Sequence, residues 1–258
     1  MDFIGIIPAR YQSVRFPGKP LVDLAGKPMI VRTYEQASKV KKFVNVIVAT
    51  DDQRIFQEVR SAGGKAVMTS DIHTSGTDRC ADALSQLSYK PNKTVVVNIQ
   101  GDEPFIQPEQ IEEIIACFDN PNTQIATLIK KIESKETLQN PNVVKVVVSD
   151  NCKALYFSRF AIPFLRNNSF EDVVFYKHIG IYAYRAETLN EIVKLPMSSL
   201  EKAESLEQLR WLQAGYEIQA FQTQYEDTIG IDTPQDLEKV LMKNRIQTTK
   251  AGHLKSIV

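Results

Sequence analysis

The sequence lacks long apolar runs and has no excess of charge of either sign. No window approaches the roughly 18 consecutive apolar residues of a membrane-spanning helix. The N-terminus has no charged-then-apolar signal arrangement, so we expect no membrane insertion. Lys plus Arg and Asp plus Glu number 31 each. Without a global basic field we expect no nucleic-acid partner, and any phosphate must be bound by a local cluster of cations.

The sequence is also poor in sulfur and imidazole ligands for metals. Its three cysteines are far apart and without CxxC spacing, which favours reduced residues of a cytoplasmic protein over a disulfide framework or a zinc site. The three histidines are equally scattered, so a His-based metal site is not expected. The 258 residues, 43% of them hydrophobic, suffice for one large α/β domain or two modest ones.

Two widespread phosphate-binding motifs are missing. A P-loop requires Gly-Lys followed by Ser or Thr, whereas Gly18-Lys19 is followed by Pro20. No G-x-G-x-x-G sequence follows the first predicted strand. These absences disfavour P-loop NTPases and dinucleotide-dependent oxidoreductases, and they predict that side-chain cations bind phosphate.

The sequence does contain a basic, proline-rich loop directly after its first predicted strand. This loop, from Pro8 to Pro20, carries Arg10, Arg15 and Lys19. Its three prolines reduce the entropy of the chain and hold the cations in place. The pattern therefore favours an anion site over a solvated basic loop.

A β-branched apolar run at residues 95–97 leads into Gly101 and Asp102. Ligands of open α/β sheets bind beyond the carboxyl ends of the strands, where a carboxylate is a natural Mg²⁺ ligand. Taken alone, however, this acid more often caps the next helix. The same holds for Asp232, which stands just before the predicted N-cap Thr233.

Strand-like and helix-like segments alternate up to about residue 122, which predicts parallel βαβ units wound into one sheet flanked by helices. The predicted strands of this part are 3–7, 44–49, 66–68 and 95–97. Strands with few helices follow, which predicts an inserted, more antiparallel layer that forms a substrate cover or a subunit interface. These later strands are 125–129, 143–148, 154–158, 179–184 and 218–221, with helices from about Ser205 to Ala214 and after Thr233.

Residues 75–79, Ser-Gly-Thr-Asp-Arg, are typical of a loop that turns into a helix N-terminus. Their hydroxyl groups could accept a base or a ribose. Ser, Thr and Asp are equally ordinary helix caps, so both interpretations stay open here.

Eight blocks of the sequence, in order, resemble the CMP-Kdo synthetases, the 3-deoxy-manno-octulosonate (Kdo) cytidylyltransferases. The blocks are residues 6–21, 26–30, 75–79, 98–104, 154–159, 177–182, 206–210 and 230–237. They cover nearly the whole chain, which makes a chance resemblance implausible. The related CMP-sialate synthetases lack the Arg-Phe-Pro-Gly-Lys-Pro run of residues 15–20. Gln12 and Val14 depart from the small residues that are common in the family, but no matched charged position is lost.

The resemblance implies a nucleotide-diphospho-sugar transferase-like (Rossmann-like) α/β fold in a homodimer. The implied reaction is CTP plus Kdo giving CMP-Kdo and pyrophosphate with Mg²⁺, for lipopolysaccharide synthesis. In a single domain, residues 1–122 are expected mainly to bind the nucleotide and residues 123–226 the sugar acid and the second subunit. Residues 227–258 are expected to close the metal site and form a C-terminal helix.

The resemblance also implies roles for individual residues. The residues expected to bind the nucleotide are Pro8, Ala9, Arg10, Arg15, Lys19, Ser75, Gly76 and Arg79. Those expected to bind the sugar acid are Gln100, Arg159, His178, Tyr182, Glu207 and Gln208. Asp102 and Asp232 are expected to hold the metal, and with Lys19 and Arg15 they form the catalytic set. Arg159 or His178 could pair with the sugar carboxylate, although His178 alone equally fits a structural histidine.

Three alternatives remain. The sugar could be a related acid such as 8-amino-Kdo or a sialate, because a few contacts decide between substrates that differ by one or two groups. A catalytically silent nucleotide-binding regulatory protein is disfavoured, because both aspartates and the basic loop are present. A dinucleotide-dependent oxidoreductase is disfavoured by the absent glycine motif.

Overall fold

The computed structural model describes residues 1–13, 15–225 and 230–242. Val14, residues 228–229 of the predicted closing segment and the tail from Thr248 lie outside the described residues. The strands, numbered in chain order, are β1 (Asp2–Ala9), β2 (Phe43–Thr50), β3 (Ala66–Met68), β4 (Thr94–Asn98), β5 (Ile125–Lys131), β6 (Lys145–Val148), β7 (Ala154–Ser158), β8 (Tyr176–Arg185) and β9 (Ile218–Gln222).

The α-helices are numbered in chain order, as the strands are. They are α1 (Met29–Ala37), α2 (Gln53–Ser61), α3 (Gly76–Ser85), α4 (Pro108–Ala116), α5 (Lys135–Gln139), α6 (Ala186–Ile192), α7 (Ser199–Glu204) and α8 (Gln208–Gln213). The described residues 234–242 form a last helix, α9. No helix in the described part of the chain is both long and apolar enough to cross a membrane.

All nine strands form one sheet, in which seven follow the order β3-β2-β1-β4-β8-β5-β9. The strands β1 to β4 pair in parallel, as predicted for the first part of the chain. Strand β8 then runs antiparallel to both of its neighbours, β4 and β5, and β6 with β7 branches from it. The predicted antiparallel part is therefore continuous with the parallel sheet, and β8 joins the two.

The inner strands are apolar throughout because helices cover both faces of the sheet. Ile6 and Val96 pack into one core cluster, whereas Ile7 and Val97 pack into the other. Successive side chains of a strand point to opposite faces, so a strand buried on both faces needs a continuous apolar run. This arrangement confirms the predicted first strand and the predicted strand at residues 95–97.

Side-chain caps begin three of the helices. The side chain of Asp52, which was not predicted as a cap, accepts a hydrogen bond from the backbone N–H of Arg54 at the start of α2. Ser75 accepts one from the backbone N–H of Asp78 at the start of α3. Thr233 and Asp236 cap α9 reciprocally, each accepting from the backbone N–H of the other. The local signals at Ser75 and Thr233 therefore placed the starts of α3 and α9 correctly.

The predicted helix from Ser205 to Ala214 is wrong at its start. Ser205 adopts a left-handed conformation (φ 52°, ψ 48°) that separates α7 from α8. The expectation of few helices after residue 122 also missed α5, α6 and α7. The capping box of Ser198 with Glu201 starts α7, which is only six residues long. A helix of that length shows too few periods for its apolar pattern to be visible in the sequence.

Candidate functional site

A cleft of about 840 Å³, including its open mouth, lies at the carboxyl ends of the parallel strands. All eight residues predicted to bind the nucleotide line it: Pro8, Ala9, Arg10, Arg15, Lys19, Ser75, Gly76 and Arg79. Gln100, Asp102 and Asp232 line it as well. The residues predicted from the basic loop, from the Ser75 segment and from the two aspartates thus line the same cleft.

The parallel register of β1 and β4 explains why the basic loop and the acidic stretch share an edge. Ile6 lies opposite Asn98, so the chain leaves both strands at the same level. After β4 the backbone turns closely over β1, where a Cβ on Gly101 would lie 2.9 Å from the carbonyl oxygen of Pro8. Glycine is therefore required at residue 101 to carry Asp102 to the cleft.

The charged centre of the cleft consists of Lys19, Asp102, Asp232 and Arg15. The Nζ atom of Lys19 lies 2.5 Å from Asp102 Oδ2 and 3.0 Å from Asp232 Oδ1. The more exposed Arg15 places a guanidinium nitrogen 3.1 Å from the same Asp232 oxygen. A backbone hydrogen bond from the N–H of Ile231 to the carbonyl oxygen of Asp102, at 3.0 Å, joins the two acidic segments.

The charge of Lys19 depends on these two carboxylates. Burial by itself lowers the pKa of Lys19, but the combined effect of Asp102 and Asp232 outweighs it and raises the pKa above its usual value. Lys19 is therefore a cation at neutral pH. Its charge offsets the repulsion between the carboxylates of Asp102 and Asp232.

The two aspartates suit a hard cation. One carboxylate oxygen of each aspartate lies within 3.0 Å of the Lys19 ammonium, so the pair already binds one cation. Among the described residues, no group of three or more His, Cys, Asp or Glu side chains could hold a metal. This donor set fits Mg²⁺, which usually takes one or two carboxylates and completes its shell with water and substrate phosphates.

Arg79 lines the cleft but uses its donors within the protein. One guanidinium nitrogen is 2.7 Å from Asp51 Oδ2, and the other donates to Thr69 Oγ1 (2.6 Å) and to the carbonyl oxygen of Ser70. The residue is only 3% exposed. Arg79 therefore braces the loops after β2 and β3 against α3, and its contact with the nucleotide stays a prediction.

Of the six residues predicted to bind the sugar acid, only Gln100 lines the cleft. Tyr182 is buried on β8, where it pairs with Asn98 of β4. Arg159 donates its guanidinium hydrogens to the carbonyl oxygens of Pro141, Glu204 and Ser205. The roles of Arg159, His178, Tyr182, Glu207 and Gln208 therefore remain predictions.

Two of the predicted sugar-binding residues, His178 and Tyr182, belong to an inner aromatic cluster. We define this cluster as Phe157, His178, Tyr182, Tyr184 and Trp211. The Trp211 ring packs edge-on against Tyr182 (5.1 Å between centroids) and Tyr184 (5.5 Å). Among the described residues, the buried hydroxyl groups of the two tyrosines and Trp211 Nε1 form no well-oriented hydrogen bond. Such orphaned polar atoms are rare in native proteins and need an explanation.

His178 in this cluster is a neutral side chain. Its Nε2 atom lies 2.9 Å from the hydroxyl of buried Thr127, and burial lowers the pKa of His178 to about 3. A neutral imidazole cannot form an ion pair with a sugar carboxylate. Of the two candidates for that pairing, Arg159 therefore suits a carboxylate better, and the roles of both residues stay predictions.

Glu207 connects the inner aromatic cluster with the cleft. It accepts a hydrogen bond of 2.9 Å from the hydroxyl of Thr77, next to the cleft residue Gly76. Burial raises the pKa of Glu207, although the bond from Thr77 acts in the opposite direction. A raised pKa near a cleft is typical of functional carboxylates, but ion-pair networks also perturb pKa values.

Three further polar side chains line the cleft that the sequence reasoning missed: Ser13, His73 and Thr74. Ser13 belongs to the basic loop, and the other two directly precede Ser75. Their position beside recognised motifs was the only available signal. A lone His or Ser in a loop carries no pattern of its own.

Cations and paired carboxylates at the carboxyl edge of a parallel sheet define the class of nucleotide-binding group-transfer enzymes. Within that class, the family described as "Cytidylyltransferase" matches residues 4–221. A 3-deoxy-manno-octulosonate cytidylyltransferase from Parabacteroides distasonis is 57% identical over 249 residues, covering 93% of this chain and 97% of its own length. The same-named protein from Bacteroides thetaiotaomicron is 55% identical over 254 residues, with coverages of 95% and 100%.

A solved structure of CMP:2-keto-3-deoxy-manno-octonic acid synthetase complexed with CTP superposes with a TM-score of 0.88 at 44% identity. It covers 96% of this chain and 100% of its own. The chain belongs to the 3-deoxy-manno-octulosonate cytidylyltransferase family of nucleotidyltransferases. The predicted nucleotide-diphospho-sugar transferase-like fold is thereby confirmed.

Proposed function

We propose that this protein transfers CMP from CTP to the anomeric 2-hydroxyl of Kdo, giving CMP-Kdo and pyrophosphate. The observation that carries this proposal is the charged centre of the cleft, in which Lys19 lies between Asp102 and Asp232. The relatives named for this reaction support the choice of substrates, as does the related synthetase complexed with CTP. The product would be the activated form of Kdo for lipopolysaccharide synthesis.

The reaction is a direct in-line displacement. The sugar hydroxyl oxygen forms a bond to the α-phosphorus, the bond from that phosphorus to pyrophosphate breaks, and the hydroxyl proton is lost. Positioning and charge neutralisation suffice for such a step, so no covalent intermediate on the protein is needed. Lys19 and Arg15 would stabilise the charge that develops on pyrophosphate.

Asp102 and Asp232 would hold Mg²⁺. The chemistry that the ion supplies when bound is neutralisation of the α-phosphate and a lower pKa of the attacking hydroxyl. Because Lys19 now balances both carboxylates, we expect metal binding to compete with its ion pairs. The Lys19 ammonium would then be free to contact phosphate oxygens.

The remaining predicted features fit the same proposal. Residues 1–122 would mainly bind the nucleotide, residues 123–226 the sugar acid and a second subunit, and residues 227–258 would close the metal site. Support for a homodimer comes from large apolar side chains that are exposed in the second part, including Phe160 at 74% and Phe164 at 82%. The reaction would take place in the cytoplasm, where its nucleotide substrate is found.

A pyrophosphate-release assay tests the proposal. CTP, UTP, GTP and ATP are each combined with Kdo, 8-amino-Kdo and a sialate, with and without Mg²⁺. We expect release only with CTP, Kdo and Mg²⁺ together. Release with 8-amino-Kdo or a sialate in place of Kdo would move the protein to that sugar, and release without metal would contradict the role of the aspartates.

A further inference from the structure

His73 is an oriented imidazole in the wall of the cleft. It lies on the loop between β3 and α3 and lines both the cleft and a second groove beside it. Its Nε2 atom is 2.7 Å from Asp82 Oδ2 on α3. Neither the motifs nor the family resemblance assigned a role to this pair.

Asp82 determines which nitrogen of His73 carries a proton. The carboxylate also accepts from the backbone N–H of Ser70 (2.8 Å) and from Gln86 Nε2 (3.1 Å). Burial raises the pKa of Asp82, but these donors together with His73 outweigh burial and lower it. An ionised carboxylate only accepts hydrogen bonds, so Nε2 of His73 must carry the hydrogen.

The other ring nitrogen is then available to a ligand. In a neutral imidazole protonated at Nε2, the Nδ1 atom is an acceptor. Within the described part of the chain, the only hydrogen bond of the His73 side chain is the one to Asp82. The side chain keeps 20% of its surface exposed, so a bound molecule can reach it.

The charges around His73 differ from those at the other side of the cleft. Lys19 and Arg15 supply cations beside the two metal-site aspartates. The surroundings of His73 instead hold three carboxylates, Asp82 as its partner and Asp51 and Asp71 in the adjoining groove, of which Asp51 is paired with Arg79. Arg10 also lines this groove, so acids outnumber cations by one, a balance that suits the uncharged nucleoside half of CTP better than its triphosphate.

We infer that His73, held in place by Asp82, binds the nucleoside half of CTP, with Nδ1 accepting a hydrogen bond from a ribose hydroxyl. The inference rests on the proposed binding of CTP. His73 is then a ligand-binding residue and Asp82 a positioning residue. The sequence left two interpretations open for residues 75–79, binding of a base or ribose and ordinary helix capping. The inference favours ribose binding by the neighbouring Ser75 and Gly76.

Calorimetric titration with CTP, 2′-deoxyCTP and 3′-deoxyCTP, without any sugar acid, tests this inference on the full chain. For His73→Phe we expect about tenfold weaker binding of CTP, the cost of one lost hydrogen bond. The analogue that lacks the bonded hydroxyl should bind the wild type and His73→Phe equally. His73→Gln, whose amide can donate to Asp82 and still accept, should recover part of the loss.

The control is Glu35→Gln, which breaks the exposed Lys27–Glu35 pair and does not touch His73 or Asp82, and it should bind CTP normally. Asp82→Asn should give a mixture of His73 tautomers by ¹⁵N NMR and a smaller preference for CTP over the deoxy analogue. A His73→Phe protein that binds all three nucleotides with the same loss, or CTP with no loss, would overturn the inference.

The two proposals fail in different ways. CTP binding without turnover of Kdo would remove only the proposed sugar substrate. An equal loss for all nucleotides would remove only the role of His73, provided that thermal unfolding shows the variant to be folded. A wild-type protein that does not bind CTP would overturn both.

Discussion

The charged centre of the cleft and the inner aromatic cluster differ in the charge of their side chains and in how their polar atoms are paired. In the charged centre, two acids and two cations are partly exposed and pair with one another at distances of 2.5–3.1 Å. In the inner aromatic cluster, the side chains are uncharged, and three polar atoms are buried without a well-oriented hydrogen bond in the described residues. One region balances charges, and the other avoids them.

The difference teaches where each kind of recognition is possible. A highly charged triphosphate needs cations that can exchange partners, which the partly exposed Lys19 and Arg15 can do. Buried orphaned polar atoms cost stability, and departures from full hydrogen bonding are expected at functional sites. Thr77, next to the cleft residue Gly76, donates to Glu207, and the sugar contacts predicted for His178 and Tyr182 of the inner aromatic cluster stay predictions.

The largest expected effect comes from neutralising one acid of the charged centre. Asp102→Asn or Asp232→Asn should lower pyrophosphate release by about 10³-fold, because a metal ligand is lost where charge develops. Unfolding by urea should change little, because each side chain is partly exposed. Glu35→Gln breaks the exposed Lys27–Glu35 pair and serves as the control. Near-normal turnover in either aspartate variant would contradict the metal site.

Removing the cation of the same centre should have a smaller but still large effect. We expect Lys19→Met to lower turnover by about 10²-fold, through lost stabilisation of the leaving pyrophosphate. Its two carboxylates would then be unbalanced, so the binding of Mn²⁺, used as a spectroscopic probe, should become tighter. Lys27→Met is the matched control at an exposed ion pair. Unchanged Mn²⁺ affinity would show that Lys19 and the metal do not compete.

The inner aromatic cluster should respond to pH in stability. The pKa of His178 is about 3 in the folded protein and about 6.5 in an unfolded chain. Below pH 6.5 only the unfolded chain takes up this proton, so the folded state loses stability as the pH falls from 6.5 towards 3. At pH 5 this loss amounts to about 2 kcal/mol.

His178→Gln isolates that contribution, because every other titrating group is common to both proteins. Urea unfolding at pH 7.5 and pH 5 should show the extra loss in the wild type alone. Parallel losses in the two proteins would mean that His178 is not kept neutral by burial.

The smallest expected effect is the removal of an orphaned hydroxyl. Tyr184→Phe should change the free energy of unfolding by less than about 1 kcal/mol, because its hydroxyl forms no well-oriented hydrogen bond within the described residues. Tyr184→Ala should cost about 3–5 kcal/mol through the cavity it leaves, which shows that the assay detects changes in this core. A large loss in Tyr184→Phe would reveal a bound partner, and the contrast between the two regions would then be less sharp.

Much of the fold was predictable because its signals are local. The bounds of β3 and β7 match the predicted segments, and the caps Ser75 and Thr233 start their helices as expected. The failures were local too, at the left-handed Ser205 and at helices too short for a periodic pattern. The continuity of the parallel and antiparallel parts through β8 depends on strand pairing, which has no local signal.

The site divides in the same way. The sequence by itself determined which residues carry the chemistry: a basic loop stiffened by prolines, and a Gly-Asp turn at the end of a buried strand. Only the tertiary structure placed Lys19 between Asp102 and Asp232, which are 83 and 213 residues away along the chain. It also decided that His178 is neutral and that His73 borders the cleft. Charge balance and burial depend on distances between segments, and one-dimensional spacing does not contain those distances.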